Sequence, residues 1–324
     1  MKYIFIAAGI AAVFALLLLG VAAVVRAVAR PVPARKLADY GDFVTVDGVT
    51  VHLWEEGRGH RDRDVPVILV HGFAATNWCW RHTIPALSGN RWVLSPDLPG
   101  FGLSDKPGEF DYSLSGYARF IAALMDEMEI DRAVLVGNSM GGGVAVRAAL
   151  DYPDRVQKLV LVDSLGYYKR EFEAYRFIGL PVVRDLVMSA AGPRTIGFLL
   201  KARVYHDPSA VDDETIRRFA AAYQTENGRK APVWVSRGLG TPPMIPREDI
   251  RKVTTPTLVI WGEKDRILPV AHAGMFGQDI AGSTAVVVPG VGHVPHEEQP
   301  EAVNRLILEF LERGGIGNSP PEDG

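Results

Sequence analysis

The chain predicts an α/β fold: a mostly parallel central sheet with helices on both faces and a helical insertion, preceded by an N-terminal transmembrane helix. Three observations carry this. Apolar runs at 65–70, 133–136 and 257–261 read as strands buried on both faces, as parallel sheets require, and 156–162 reads as a further strand. Helix-patterned segments alternate with those runs, which is the rhythm of βαβ units. From Tyr3 to Val25 no residue is charged and none is proline.

That first stretch, about 23 residues, would span ~34 Å as a helix, enough for a bilayer core of ~30 Å. A cleaved signal peptide competes, since Ala27-Val28-Ala29 resembles a cleavage site. The run exceeds the usual ~7–15 apolar residues of a signal, and Arg26, Arg30 and Pro31 crowd the site. An uncleaved single-pass membrane anchor over 1–28 is therefore expected. Arg26, Arg30, Arg35 and Lys36 outweigh Lys2, so the positive-inside rule would keep the globular part cytoplasmic; orientation stays open.

Pro31, Pro33, Arg35, Lys36 and Asp39 mark 29–41 as a linker, with folding expected from about Asp42. Residues 43–46 and 49–54 alternate around Asp47-Gly48, a strong hairpin signal. A polar loop at 57–64 leads to strand 65–70, which ends in His71-Gly72-Phe73. Trp78 and Trp80 follow, then a helix to Leu87. Strand 91–95 enters a glycine- and proline-rich loop, 96–105. Ser113 or Ser115 caps a helix carrying Phe120, Ile121, Leu124, Met125 and Met128.

Strand 133–136 runs into Gly137-Asn138-Ser139-Met140-Gly141-Gly142, and an alanine-rich helix follows. Strand 156–162 closes on Asp163. The rhythm then breaks over 166–251, where prolines at 181, 193, 208, 232, 242, 243 and 246 punctuate a helical insertion. It resumes at 257–261 and Gly262-Glu263-Lys264-Asp265. The last strand, 285–288, precedes Gly290-Val291-Gly292-His293, and 297–311 is a closing helix. The core is thus 42–165 plus 252–313, and 314–324 is expected to be a disordered tail.

The chain has 324 residues, 35 Lys plus Arg, 38 Asp plus Glu and a formal net charge of −3. It can bury a full core, and nothing in its charge suggests a nucleic-acid partner. One cysteine, Cys79, excludes an internal disulfide and a cysteine zinc site. Oligomeric state is not encoded in any pattern.

Gly137-x-Ser139-x-Gly141 between a strand and a helix lets the backbone bend sharply and lifts the Ser139 hydroxyl above the sheet. A serine needs a base, and the base needs an orienting acceptor. His293 lies just past a strand after a glycine-containing loop, and Asp265 ends another strand. Asp163 also ends a strand and is the alternative acid. His71 reads as a turn residue. His296 reads as a surface residue near a helix start or a pocket residue. His52, His60, His82, His206 and His272 show no partner pattern.

Five motifs in this order resemble the α/β-hydrolase fold over nearly all of 42–313: His71-Gly72-Phe73, the segment 97–104, the Ser139 elbow, 261–265 and Gly292-His293. The resemblance implies Ser139 as nucleophile, His293 as base then acid, and Asp265 as the residue that fixes the imidazole. It places the oxyanion hole at the N–H groups of Met140 and Phe73, and makes 166–251 a lid. Asn138, Trp78, Trp80 and Val294 are substrate-pocket candidates, although tryptophans more often pack. No metal or organic cofactor is expected.

Within the family, a serine at 139 excludes the relatives with an aspartate nucleophile. The Gly-Asn-Ser-Met-Gly-Gly elbow is similar to that of meta-cleavage C–C bond hydrolases. A glycine-rich oxyanion loop and a tryptophan after the histidine are usual there; this chain has Gly72-Phe73-Ala74-Ala75 and Val294. The anchor ahead of a lidded hydrolase resembles membrane-bound monoacylglycerol lipases. The expected function is a membrane-anchored serine esterase acting on a medium- or long-chain, lipid-like small-molecule ester, with C–C hydrolysis as the alternative. A non-catalytic binding module would predict a broken triad, and this one is complete.

Overall fold

The computed structural model describes residues 20, 30–167, 191–240 and 244–312. Apart from Gly20, the apolar stretch 3–25 lies outside these residues, as does the tail 314–324. Among the described residues, no helix is long and apolar enough to cross a membrane.

Eight strands form one sheet: β1 (Asp42–Val46), β2 (Val49–Glu56), β3 (Val67–Val70), β4 (Val93–Pro96), β5 (Ala133–Asn138), β6 (Val156–Val162), β7 (Thr257–Gly262) and β8 (Thr284–Val288). Their order is β1-β2-β4-β3-β5-β6-β7-β8. β1 and β2 pair antiparallel, as do β2 and β4, and every later pairing is parallel. The hairpin is set by Asp47 and Gly48, whose φ values of 47° and 77° give two successive left-handed residues.

The described helices are α1 (Ile84–Ser88), α2 (Leu114–Glu127), α3 (Met140–Asp151), α4 (Pro193–Leu199), α5 (Asp213–Ala221), α6 (Ala231–Gly238), α7 (Arg247–Ile250), α8 (Ala271–Asp279), α9 (Pro295–Glu298) and α10 (Pro300–Glu312). α2 starts at Ser113, whose hydroxyl accepts the Gly116 N–H at 3.0 Å. Alternate residues of one strand serve different layers. Ile68 and Val70 join the cluster with α2, α3 and α8, whereas Val67 and Leu69 join the one with α1 and α10. The apolar runs were unbroken because both faces are covered.

The linker is tied down further upstream than its composition suggests. Asp39 accepts two guanidinium N–H bonds from Arg218 of α5, at 2.6 and 3.1 Å. The Arg218 guanidinium also lies over Tyr40 and Trp78, 4.5 and 4.0 Å from their ring centres. Val32 N–H donates to Gln224 O at 2.9 Å, so the chain is engaged well before Asp42.

Candidate active site

β3, β5, β6, β7 and β8 run parallel, so their carboxyl ends share one edge of the sheet, and Ser139, Asp163, Asp265 and His293 follow strand ends there. At the end of β5, Gly137 and Gly141 carry the turn for reasons of space. A Cβ on Gly137 would lie 2.3 Å from Gly141 O, and one on Gly141 would lie 2.0 Å from Val70 O. Ser139 itself sits at φ 54°, ψ −119°, a backbone that L-residues avoid and that costs on the order of 1–3 kcal/mol. It heads α3, yet its hydroxyl makes no capping bond, so the side chain is not spent on the helix. Met140 is the first helical residue, and its N–H has no intrahelical acceptor.

The loop after β3 lies directly against this turn. A Cβ on Gly72 would be 3.1 Å from Ser139 Cβ. His71 uses both ring nitrogens on backbone: Nε2 accepts the Leu98 N–H at 2.9 Å, and Nδ1 donates to Gly72 O at 2.8 Å. It holds a turn. Phe73 is 43% exposed and packs edge-on to Phe101, leaving an apolar ring facing outward beside the serine turn.

Past β7, Asp265 Oδ1 accepts N–H bonds from Ile267 (2.7 Å) and Leu268 (3.0 Å). Its Oδ2 accepts from His293 Nδ1 at 2.8 Å. Burial works against the Asp265 charge, but His293 and the two amides outweigh it and hold the carboxyl below its ordinary range. Asp265 is therefore the carboxylate bonded to the histidine. Asp163 stands behind it, fully buried, accepting the Gly262 N–H at 3.0 Å.

Asp163, Asp265 and His293 offer ligand atoms within 4.8 Å of one another. A cation there would have to break the His293–Asp265 hydrogen bond, so the set reads as an acid–base pair rather than a metal centre.

Several contacts at the site were not legible in the sequence. Asn138 Nδ2 donates to Val162 O at 3.1 Å and to His293 O at 3.2 Å, so this pocket candidate ties β5 to β6 and to the histidine loop. Glu298 is a second tie. Its Oε1 accepts the Gly292 N–H at 2.7 Å, while Oε2 accepts those of His206 and Asp207, each at 2.8 Å. The histidine loop is thereby fixed to the insertion. Val294 is buried beside the histidine. Trp80 is wholly buried and stacks on His296, so it offers no face to a substrate; Trp78 packs on Tyr40 and Trp54.

His296 is not at the surface. It is fully buried, and burial pushes its pKa down to about 3. Neighbouring Glu297 pairs with Arg81 and accepts the Tyr205 hydroxyl at 2.8 Å; burial pushes its carboxyl up to about 7. His52 also has partners: Nδ1 meets Asp97 Oδ2 and Nε2 meets Tyr40 O, both at 2.8 Å. This second His–Asp pair has both imidazole nitrogens occupied.

A family model described as the alpha/beta hydrolase fold matches residues 65–300. An uncharacterized hydrolase, YugF, of Bacillus subtilis strain 168 is 31% identical over 272 residues, 82% of this chain and 96% of that protein. The 2-hydroxy-6-oxo-2,4-heptadienoate hydrolase of Pseudomonas putida is 30% identical over 286 residues, 85% of this chain and 97% of that one. Among solved structures, a membrane phospholipase A described as a bacterial virulence factor aligns with a TM-score of 0.72 and 26% identity, covering 96% of each chain. With its eight-stranded sheet and its histidine–aspartate pair at the carboxyl edge, this chain belongs to the α/β-hydrolase fold family and is a hydrolase.

Proposed function

We propose that the chain hydrolyses its substrate through an acyl-enzyme on Ser139. The Ser139 hydroxyl attacks a carbonyl carbon while His293 takes its proton, and Asp265 holds the imidazole in the required tautomer. The N–H groups of Met140 and Phe73 receive the developing oxyanion; losing one such donor costs about 2.7–4 kcal/mol in the transition state. Protonated His293 passes its proton to the leaving group, and the same ring then activates the water that releases the acyl group. One observation carries this reading: a left-handed serine with no capping bond, on the sheet edge where Asp265 bonds His293 at 2.8 Å.

For the bond cleaved, we put first the C–C bond of a 2-hydroxy-6-oxo-dienoate. The Pseudomonas putida relative, aligned over 97% of its own length, supports this. So does the Gly-Asn-Ser-Met-Gly-Gly elbow. A second reading, ester hydrolysis at a membrane, has its own support. The phospholipase alignment covers 96% of this chain and 96% of that one. A membrane anchor over 1–28 and a lipid-like ester belong with that reading.

The deciding experiment offers the full chain a 2-hydroxy-6-oxo-dienoate, followed by loss of its dienolate absorbance, and a lysophospholipid, followed by fatty-acid release. Ser139→Ala runs beside each. Ser139-dependent turnover of the dienoate, with the lipid untouched, upholds the first reading. The reverse result overturns it in favour of the second.

A further inference from the structure

The triad leaves one buried carboxyl without a role. Asp163 ends β6 with φ 44°, a left-handed backbone that a residue other than glycine rarely adopts. Its side chain is fully buried. Oδ1 accepts the Gly262 N–H at 3.0 Å, whereas Oδ2, equally buried, meets no hydrogen-bond partner among the described residues. Asp265 stands within 4.8 Å. Two carboxylates this close, both out of water, cannot both stay ionised. Asp265 is the one stabilised as an anion, by two backbone amides and His293. Its Oδ2 has accepted a single bond, so a carboxylate lone pair remains for another donor.

We propose that Asp163 is a positioning residue: a neutral carboxylic acid whose Oδ2 proton is donated to Asp265, holding that carboxylate on His293. The proposal rests on the Ser139–His293–Asp265 reading and adds a fourth member to it. The charged and titratable groups facing Asp163 are Asp265, His293 and Glu298. Burial and the Asp265 charge push the Asp163 carboxyl well above its ordinary range, against the pull of the Gly262 N–H. An asparagine reproduces the neutral acid: its oxygen accepts from Gly262 and its Nδ2 donates to Asp265. A leucine fills the volume and donates nothing.

The test is the rate at which a fluorophosphonate labels Ser139 in the full chain, measured across pH, which needs no knowledge of the substrate. Asp163→Leu is expected to slow labelling about tenfold, the effect of losing one charge-assisted bond. It should also move the acid limb of the profile to higher pH, because Asp265 without a donor binds the imidazolium more tightly. Asp163→Asn is expected to restore the rate to within about threefold, with the limb in its original place. If Asp163 is instead ionised, Asp163→Asn removes a negative charge beside the ring and moves the limb about one unit or more to lower pH, which overturns the proposal. Asp163→Leu matching the wild type in rate and limb overturns it too. Should the leucine variant fail to fold, the limb of the asparagine variant decides alone. Asp265→Asn serves as the separate control: labelling at the wild-type rate there would remove the triad, and the proposal with it.

Discussion

The side-chain amide of Asn138 donates to the backbone oxygen of His293 at 3.2 Å, joining the residue before the serine to the histidine across 155 positions of sequence. A single planar group thus ties the serine turn to the loop that carries His293. Asn138→Ala leaves the Val162 and His293 carbonyls without this donor. Stability should fall by about 1–3 kcal/mol. Turnover should fall by up to ~100-fold, the cost of displacing a base by about an ångström. Thermal melting and steady-state kinetics on the same preparation check both. Loss of stability with an unchanged rate would limit Asn138 to the fold.

Ser139 is held in a backbone that glycine adopts without strain. Ser139→Gly and Ser139→Ala should both be inactive, but they should not be equally stable. The glycine variant is expected to be more stable than the alanine variant by about 1 kcal/mol, since alanine keeps a Cβ in the strained region. Denaturant midpoints of the two variants settle it. An alanine variant as stable as the glycine variant would mean that the turn stores no strain.

His52 and Asp97 form a buried pair at 2.8 Å. Burial opposes the His52 charge, but the Asp97 carboxylate and the Tyr40 carbonyl outweigh it and hold its pKa above the ordinary value. A raised histidine contributes stability that is full below about pH 6.5 and lost as pH rises through the raised folded value. Asp97, held below its ordinary value, contributes above about pH 3.9 and loses that as pH falls. His52→Leu, which strands the Asp97 charge, should cost about 3–5 kcal/mol near pH 6. The gap to the wild type should narrow on going from about pH 6 to an alkaline pH, as His52 gives up its proton. Urea titrations at both pH values measure it; a gap that widens with pH contradicts the charged pair.

Much of this site can be read from the sequence, because each motif there works locally. Glycines 137 and 141 are required by contacts within a few residues or with the adjacent strand, and Asp47-Gly48 fixes its own turn. The runs at 65–70 and 133–136 report burial on both faces without any knowledge of their partners. What could not be read depends on distant pairing. Asn138 looks like a pocket residue until β6 and the histidine loop arrive beside it. His52 looks partnerless because Asp97 lies 45 positions away. Glu298 follows the histidine closely, yet two of its three amide donors come from the insertion, and no spacing rule predicts them. Asp39 and Tyr40 read as linker because Arg218, which pins them, is 179 positions from Asp39.

The central claim is that Ser139, driven by the His293–Asp265 pair, is the nucleophile. Labelling the full chain with a fluorophosphonate, followed by peptide mass mapping, tests it most directly. One adduct on the peptide containing Ser139 is expected, none in Ser139→Ala, and in Asp265→Asn a rate lower by about 10⁴. An adduct on another residue, or Asp265→Asn reacting as fast as the wild type, would contradict the account.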